Sequence, residues 1–331
     1  MEQRTLGRSG LTASRLGLGL AALGRPGYIT LGHGGDLAGQ YSVLAMEARA
    51  HRVLDAAWKA GVRYFDAARA YGRSERFLAS WLVLRGYGPD EVTVGSKWGI
   101  SYTADWEIHA DQHEARDHSA LALKRQLAES REMLGLHLDL YQVHSATPEN
   151  GVLADPAVAF ALARLKEQGI AVGLSVTGPG QGEAIRMAVD AHVTGTPLFA
   201  VVQATWNVLE TSAGPALELA HRAGMGVVVK EALANGRLTD RNGEESFAPR
   251  MALLRGEAER LGTTVDALAL AAALAQPWAD CVLSGAAVPD QLAANLLALD
   301  VRVDAEAEQR LATLAEAPAE YWTLRQRLEW N

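Results

Sequence analysis

Four side chains with the chemistry of proton transfer follow one another along the first half of the chain: Asp66, Tyr71, Lys97 and His144. An acid, a phenol, an amine and an imidazole are groups that exchange protons in enzymes. A phenol acts as an acid near neutral pH only where neighbouring groups shift its pKa, so the fold must gather the four. Three of them come directly after a short apolar run, and Tyr71 comes one loop after Asp66.

The elements that position these side chains follow from the alternation of short apolar runs with longer helical segments. The runs have continuous Val, Ile, Leu and Ala cores, which are typical of strands buried on both faces. Eight strand–helix units with right-handed crossovers predict an α/β fold, a closed (β/α)8 TIM barrel, with a doubly wound open sheet as the alternative. The predicted strands cover 16–23, 62–67, 91–97, 139–144, 170–176, 198–204, 226–231 and 280–285.

Several segments lie outside this repeat. Residues 3–6 and 12–15 flank a glycine-rich turn and predict an N-terminal β-hairpin. Two helices rather than one are predicted between the last two strands, over 247–261 and 265–275, and a further C-terminal helix is predicted over 304–315. No linker divides the chain, so residues 1–331 are expected to form a single domain, with 24–40 as a long loop. The remaining predicted helices cover 47–60, 119–134, 156–168, 182–191 and 215–223.

Composition excludes several classes of function. The chain of 331 residues has a net charge of −8 and no basic run, so nucleic acid and anionic membrane surfaces are poor partners. It holds no apolar run of 18 residues and opens on no secretory signal, which predicts no membrane span and fits a cytoplasmic protein. The one cysteine, Cys281, lies in an apolar run and is predicted to be a buried packing thiol.

In a parallel barrel, chemistry takes place where the strands end, because the loops that follow all eight strands meet at that rim. The predicted strands place Asp66, Lys97 and His144 at this rim. For any one of them a structural role, such as a salt bridge between Asp66 and Lys97, is the better interpretation. The presence of three such residues on consecutive strand–helix units, together with Tyr71, favours a functional site.

The segments that carry these residues, 65–75, 96–97 and 138–144, resemble the signature of the aldo-keto reductases. The resemblance extends over nearly the whole chain and includes 5–19, 170–175, 233–239 and 284–286. It implies hydride transfer between NADPH and a carbonyl compound, in either direction, with Tyr71 as general acid. By position, Lys97 would lower the Tyr71 pKa, Asp66 would keep Lys97 charged, and His144 would hold the substrate oxygen.

The same resemblance implies a set of cofactor contacts. Ser175 and Gln203 match residues that hold the nicotinamide amide, and Lys230 takes the place of the aromatic that stacks on that ring. Ala287 replaces the cation that often meets the 2′-phosphate of NADPH. The resemblance still implies NADP(H) as the favoured cofactor, whereas the alanine at 287 weakens that preference and leaves NAD(H) possible. The other expected contacts are Leu233, Gly236, Ser284, Gly285, Gln291 and Asn295.

Aromatic residues near the predicted rim suggest how a small carbonyl or sugar substrate is held. Trp98, Trp206 and Trp322 are the predicted pocket residues, although packing inside the protein is an equal alternative for Trp206 and Trp322. The segment 109–118 is rich in His and Asp, but its spacing misses the His-Glu-x-x-His pattern. It is interpreted as a solvated rim loop, and no metal is predicted.

Two other classes of function remain open at this point. One is a non-catalytic, nucleotide-sensing subunit, which the altered positions Val176, Lys230 and Ala287 allow. The other is a lyase that forms a Schiff base through Lys97. Asp66 would keep that amine protonated and poorly nucleophilic, so the lyase ranks last.

Overall fold

The apolar runs form parallel strands that close on themselves in the computed structural model, which describes residues 1–331. Two-residue and three-residue strands form additional antiparallel pairs outside the barrel. The strands are β1 (Gln3–Thr5), β2 (Thr12–Ser14), β3 (Leu16–Gly19), β4 (Tyr64–Asp66), β5 (Thr93–Trp98), β6 (Ile100–Tyr102), β7 (Glu114–Arg116), β8 (Leu140–Ala146), β9 (Ala171–Val176), β10 (His192–Val193), β11 (Thr196–Pro197), β12 (Val201–Thr205), β13 (Gly226–Lys230) and β14 (Cys281–Ser284).

The barrel follows chain order around the ring: β3, β4, β5, β8, β9, β12, β13 and β14. Its last strand pairs in parallel with its first, where Val282 lies opposite Leu16. The predicted TIM barrel is therefore confirmed, and the open sheet is wrong. All eight predicted strands occur, most of them with shorter bounds, whereas β5, β8 and β12 run past their predicted ends.

Helices cover the outside of the barrel, since each crossover must return the chain to the start of the next parallel strand. Short 3₁₀ turns complete several of the connections. The helices are α1 (His33–Leu37), α2 (Val43–Lys59), α3 (Ser74–Arg85), α4 (Ala120–Leu134), α5 (Pro156–Glu167), α6 (Gln181–Asp190), α7 (Gly214–Arg222), α8 (Ala248–Arg260), α9 (Val265–Leu274), α10 (Pro289–Leu296), α11 (Ala305–Ala312) and α12 (Pro318–Gln326).

Several pieces of structure were not predicted, among them the β10–β11 pair and the helices α3, α10 and α12. The segment 24–40, expected to be a loop, contains the short helix α1. The segment after β5 forms the antiparallel hairpin of β6 and β7, with Ile100 opposite Arg116. Short strands of mixed polarity lack the period-two pattern that identifies a hairpin in a sequence.

The apolar side chains form two main cores. The larger lies between the barrel and its ring of helices, and the second lies among the C-terminal helices around Leu254, Leu268 and Tyr321. Cys281 is fully buried on β14, as predicted, and burial raises the pKa of its thiol. None of the helices combines the length and the apolar character needed to cross a bilayer.

The N-terminal hairpin of β1 and β2 is present as predicted, with Gln3 opposite Ser14. Its turn lies against the start of β13, where Gly7 forms an isolated bridge with Met225. The hairpin therefore lies at the end of the barrel where the strands begin. The opposite rim, where the strands end, is not covered by the hairpin, and the loops that follow the strands lie there.

Candidate active site

A buried ion pair lies at the ends of two neighbouring strands. The Lys97 ammonium on β5 contacts the Asp66 carboxylate on β4, and both side chains are almost fully buried. The same ammonium donates a hydrogen bond of 3.0 Å to the carbonyl of Ala67. Asp66 lies opposite Gly95 in the register of β4 and β5, so the sheet itself brings the two charges together.

The second oxygen of the Asp66 carboxylate is held by three donors inside the barrel. The Tyr64 hydroxyl donates at 3.2 Å, the Gln142 amide at 3.2 Å and the Gln203 amide at 3.0 Å. Gly95 makes room for this cluster, because a Cβ there would lie 2.8 Å from the Tyr64 hydroxyl. The carboxylate is thus fixed in position before any ligand binds.

Tyr71 and His144 complete the predicted group of four. Tyr71 lies between β4 and α3, and the Lys97 ammonium is 4.7 Å from the centre of its ring. The rings of Tyr71 and His144 meet edge to face, with centroids 5.3 Å apart and an interplanar angle of 87°. The structure therefore brings all four predicted catalytic side chains together at the rim.

A bulge in β8 places His144. The pairing of β8 with β9 shifts register between Val143 and Ala146, and Ser145 has a φ of 54°. The Ser145 amide donates a hydrogen bond of 2.9 Å to the Ser175 hydroxyl, which holds the irregular backbone. Bulges change the direction of a strand's side chains and recur next to active sites.

Burial dominates the acid–base behaviour of this group. It raises the pKa of the Tyr71 phenol well above its usual value, and Asp66 adds to the effect. The expectation that Lys97 makes the phenol more acidic is therefore wrong for the net direction of the pKa shift, because burial of the phenol is the largest effect on it. Burial, helped by Lys97, lowers the pKa of His144 well below its usual value. At neutral pH the group holds a protonated phenol beside a neutral imidazole.

Tyr71 and His144 open into a cavity of about 630 Å³, a size typical of small-molecule and cofactor sites. Lys97 does not line this cavity and lies behind Tyr71 at 0% exposure. An amine without access to the cavity cannot attack a carbonyl there. All nine predicted cofactor contacts line it: Ser175, Gln203, Lys230, Leu233, Gly236, Ser284, Gly285, Gln291 and Asn295.

Several of these nine residues are already engaged within the protein, and those at the Ser284 end of the cavity bond to one another and to a rim loop. The Asn295 amide donates a hydrogen bond of 2.8 Å to the Ser284 hydroxyl. Gln291 accepts from the Ala287 amide at 2.8 Å and donates to the Asp36 carboxylate at 2.7 Å. Asp36 also forms a bidentate pair with Arg241, at 2.6 and 2.7 Å. Loop 24–40 is thereby bonded across this end of the cavity.

A cluster of charges lies on the cavity wall at the end of β13. Glu231, at a φ of 56°, pairs with Arg325 from α12, and the Lys230 ammonium lies 3.8 Å from the same carboxylate. The Lys230 ammonium donates a hydrogen bond of 2.7 Å to Thr205. Burial lowers the Lys230 pKa to about 8, whereas Arg325 and Lys230 outweigh the effect of burial and lower the Glu231 pKa to about 2. Two cations against one carboxylate favour an anionic ligand.

The predicted tryptophans do not line this cavity, which corrects the predicted pocket. Side chains alternate along a strand, so Trp98 points away from the barrel interior that Lys97 enters, and it is fully buried. Trp206 packs edge to face on Trp278 in the larger core. Trp322 lies buried in the C-terminal core beside Tyr321. Trp330, also in the C-terminal tail, does line the cavity.

The histidine-rich segment 109–118 folds over the rim as part of the β6–β7 hairpin. His113 stacks on Trp330, with centroids 3.9 Å apart and planes within 7°. Glu114 pairs with Arg25 at 2.6 Å, and both residues line the cavity. No group of three or more His, Cys, Asp or Glu side chains is arranged to hold a metal ion.

Sequence reasoning missed Arg25, Glu114 and Arg325 as parts of the site. No sequence signal marks them, because Arg25 lies in a loop, Glu114 in the short strand β7 and Arg325 in the last helix, and each meets a partner far away in the chain. Arg25 and Glu114, for example, are 89 positions apart.

Comparisons with known proteins identify the family of the chain. The model of the aldo/keto reductase family matches residues 28–316, so the chain belongs to that family. It is 26% identical to pyridoxal 4-dehydrogenase of Microbacterium luteolum, over 97% of this chain and 96% of that protein. It is 28% identical to D-threo-aldose 1-dehydrogenase of a Pseudomonas species, over 48% of this chain and 52% of that protein.

A solved structure has the same architecture. It is the holo form of the aldo-keto reductase AKR11C1 of Bacillus halodurans, which is 25% identical and superposes with a TM-score of 0.74. The match covers 96% of this chain and 97% of the other. Family and relatives together identify an oxidoreductase of the type that reduces carbonyl groups or oxidises alcohols.

The residues that line the cavity fit the nicotinamide cofactors used in this family. The Lys230 and Arg325 cations suit a pyrophosphate, and the Ser175 hydroxyl accepts one bond while its own hydrogen has no protein acceptor. The Asn235 side-chain oxygen lines the cavity, is buried and has no partner. A Cβ at Gly285 would meet no atom within 4 Å, so the backbone there is open to a ligand.

Proposed function

We propose that this protein is a nicotinamide-dependent oxidoreductase that interconverts an aldehyde or ketone with its alcohol, with Tyr71 as the general acid. One observation carries the proposal: the Tyr71 phenol lies at the cavity, between the buried Lys97 ammonium and the His144 ring. The bound nicotinamide supplies the hydride for reduction or takes it up in oxidation. The nascent alkoxide oxygen then needs a proton, which the residues of this chain must deliver.

The geometry and the directions of the pKa shifts support a separate role for each side chain. Tyr71 remains protonated at neutral pH, so it holds the proton that the substrate oxygen requires. His144 stays neutral, so it orients that oxygen by hydrogen bonding rather than competing as an acid. Lys97 lies behind the phenol and stabilises negative charge on it as the proton leaves. Asp66 keeps the Lys97 ammonium in place.

We propose further that NAD(H) serves at least as well as NADP(H), contrary to the expectation from family resemblance. The loop that the resemblance assigns to the adenine end carries Ala287, which offers no charge to a 2′-phosphate. Arg241, a cation that lines the cavity, is paired with the Asp36 carboxylate. A carboxylate at this place favours a ribose hydroxyl over a phosphate, by the same electrostatics that operate in other dinucleotide sites. The ratio of kcat/KM for NADH and NADPH tests this proposal.

The substrate class we propose is an aldehyde that carries a hydroxyl group able to close a cyclic hemiacetal, which includes aldoses. Two relatives support this class by name, one acting on pyridoxal and one on an aldose. In oxidation the C–OH carbon of such a ring would give its hydride to the bound nicotinamide, and Tyr71, in its ionised phenolate form, would accept the hydroxyl proton.

The test is a panel of pyridoxal, aldoses and 4-nitrobenzaldehyde, followed at the NAD(P)H absorbance in both directions and with both cofactors. The control is Tyr71→Phe, which removes the proton donor and keeps the ring. We expect kcat to fall about 10²–10⁴-fold in this variant, while cofactor binding, measured by tryptophan fluorescence, is retained. Undiminished turnover would exclude Tyr71 as the acid, and cofactor binding without any turnover would favour the nucleotide-sensing alternative.

A further inference from the structure

A second buried cation lies beside Tyr71, and it does not come from a barrel strand. Arg25 belongs to the loop that follows β3, and its guanidinium carbon is 5.4 Å from the centre of the Tyr71 ring. It donates a hydrogen bond of 3.0 Å to the carbonyl of Ala70, the residue before Tyr71. The Arg25 side chain is 3% exposed.

The backbone of this loop is fitted tightly to the segment that carries Tyr71. The Gly24 carbonyl accepts a hydrogen bond of 2.7 Å from the Arg73 amide. A Cβ at Gly24 would lie 2.1 Å from the Tyr71 carbonyl oxygen, so only glycine allows this approach. Arg25 therefore cannot shift without moving Tyr71.

Arg25 has its own carboxylate partner, as Lys97 does. Its guanidinium pairs with Glu114 at 2.6 Å, and Glu114 is delivered by β7 of the rim hairpin. Aromatic rings surround the guanidinium, with centroids 5.1 Å away for Tyr28 and 4.7 Å away for Trp330. Rings that exclude water lower the local dielectric, which strengthens the effect of both charges on the phenol.

We propose that the Arg25–Glu114 pair positions the Tyr71 phenol and sets how readily it releases its proton, Arg25 favouring release and Glu114 opposing it. The role adds to the function proposed above. Lys97 and Arg25 thus flank one phenol, each held by a carboxylate and by a backbone carbonyl from the segment around Tyr71.

Other charges face Tyr71 and belong to the same balance. Asp66 and Glu231 raise its pKa, as Glu114 does, whereas Arg25 lowers it. Asp66 is paired with Lys97 and Glu231 with Arg325, and His144 is neutral. The Arg25–Glu114 pair is separable from these groups because it shares no hydrogen bond with them.

The first test reads the phenol directly and needs neither substrate nor cofactor. Tyr71 is replaced with 2,3,5-trifluorotyrosine, whose phenol titrates well below that of tyrosine, and its ¹⁹F chemical shift is followed against pH. Against this background, Arg25→Gln should raise the phenol pKa and Glu114→Gln should lower it, each by about one pH unit. The double variant should return close to the parent, and Arg25→Lys should restore most of the Arg25→Gln shift.

The second test uses turnover of pyridoxal or 4-nitrobenzaldehyde by the unlabelled enzyme. Oxidation of the corresponding alcohol at a pH below the phenol pKa should slow about threefold in Arg25→Gln and quicken by a similar factor in Glu114→Gln, with KM little changed. A merely structural role would slow both variants alike. Circular dichroism checks that each variant is folded.

The outcomes separate the two proposals. Opposite shifts of the ¹⁹F titration support the pair, whether or not a substrate is turned over. Shifts of the same sign, or none, overturn it even if the enzyme is active. Failure of the wild-type protein to turn over any carbonyl on the panel counts against the proposed function alone.

Discussion

Two halves of the candidate site hold Tyr71 from opposite directions and are built differently. The strand-borne half comprises Asp66, Lys97, Gln142 and Gln203, which project from neighbouring strands into the barrel. The loop-borne half comprises Arg25, His113, Glu114 and Trp330, which come from three separate segments at the rim. The first is fixed by the sheet's own hydrogen bonds, whereas the second depends on contacts between loops. Changes in the first should therefore cost stability, and changes in the second should alter ligand handling.

The largest effect is expected in the strand-borne half, at Lys97. Lys97→Met leaves the Asp66 carboxylate buried without its cation, and breaking a buried pair in this way costs about 3–5 kcal/mol. Urea unfolding followed by circular dichroism measures the loss. The double variant Asp66→Asn/Lys97→Met should recover part of it, because no unpaired charge remains. A cost below that of Arg25→Met would contradict the division between the halves.

Gly95→Ala tests the packing of the same half. The new methyl group would lie 2.8 Å from the Tyr64 hydroxyl and displace its hydrogen bond to Asp66. Overpacking together with a lost buried hydrogen bond should cost about 3 kcal/mol. Gly19→Ala is the matched control, since its Cβ would come no closer than 3.6 Å to another atom. Equal unfolding free energies for the two variants would show that the cluster tolerates the methyl group.

The acid side of the stability profile tests the rim loop. Burial lowers the pKa of His33 in α1 to about 4. Below pH 6.5 the unfolded chain binds a proton that the folded His33 does not, so stability falls as the pH drops towards 4. From pH 7 to pH 5 the loss from His33 is about 2 kcal/mol. His33→Gln should flatten this part of the profile in urea unfolding, whereas an unchanged slope would assign the loss to other groups such as His144.

The smallest effect is expected at Trp330, which is packed only on the loop-borne side. Trp330→Ala removes the stack on His113 and the ring over Arg25, contacts worth about 1 kcal/mol. This corresponds to about a fivefold rise in KM for an aromatic aldehyde, with stability nearly unchanged. Trp330→Phe keeps a stacking ring and should stay close to wild type. A large loss of unfolding free energy in Trp330→Ala would make the residue part of the core instead.

The contrast between the halves also explains what could be predicted from the sequence. Asp66, Lys97 and His144 were identifiable because each directly follows a short apolar run in the sequence, and parallel strands bring their ends to one rim. The barrel itself followed from the same eight runs. The geometry that places Tyr71 beside His144 was then a consequence of the fold.

The loop-borne half offered no such pattern. Arg25 meets Glu114 and Trp330 only because a hairpin and the C-terminal tail fold over the same part of the rim. The prediction that three tryptophans line the pocket was wrong for a related reason: whether a residue faces the pocket or the core depends on which side of its strand or helix it lies on. Trp98 follows Lys97 directly and therefore points outward from the barrel, towards the helices. The pKa direction of Tyr71 was missed because it depends on total burial.

The reactivity of the single thiol, Cys281, can be used to measure how often the closed barrel opens. It lies on β14, the last strand of the barrel, which pairs with β13 on one side and with the first strand, β3, on the other. Full burial and a raised pKa keep it unreactive while the ring is closed. The chain has no second cysteine, so all alkylation by a maleimide or iodoacetamide occurs at Cys281. The rate of this reaction reports how often β14 separates from its neighbouring strands. Comparing the alkylation rate with and without bound ligand would show whether ligand binding at the rim makes opening of the barrel less frequent.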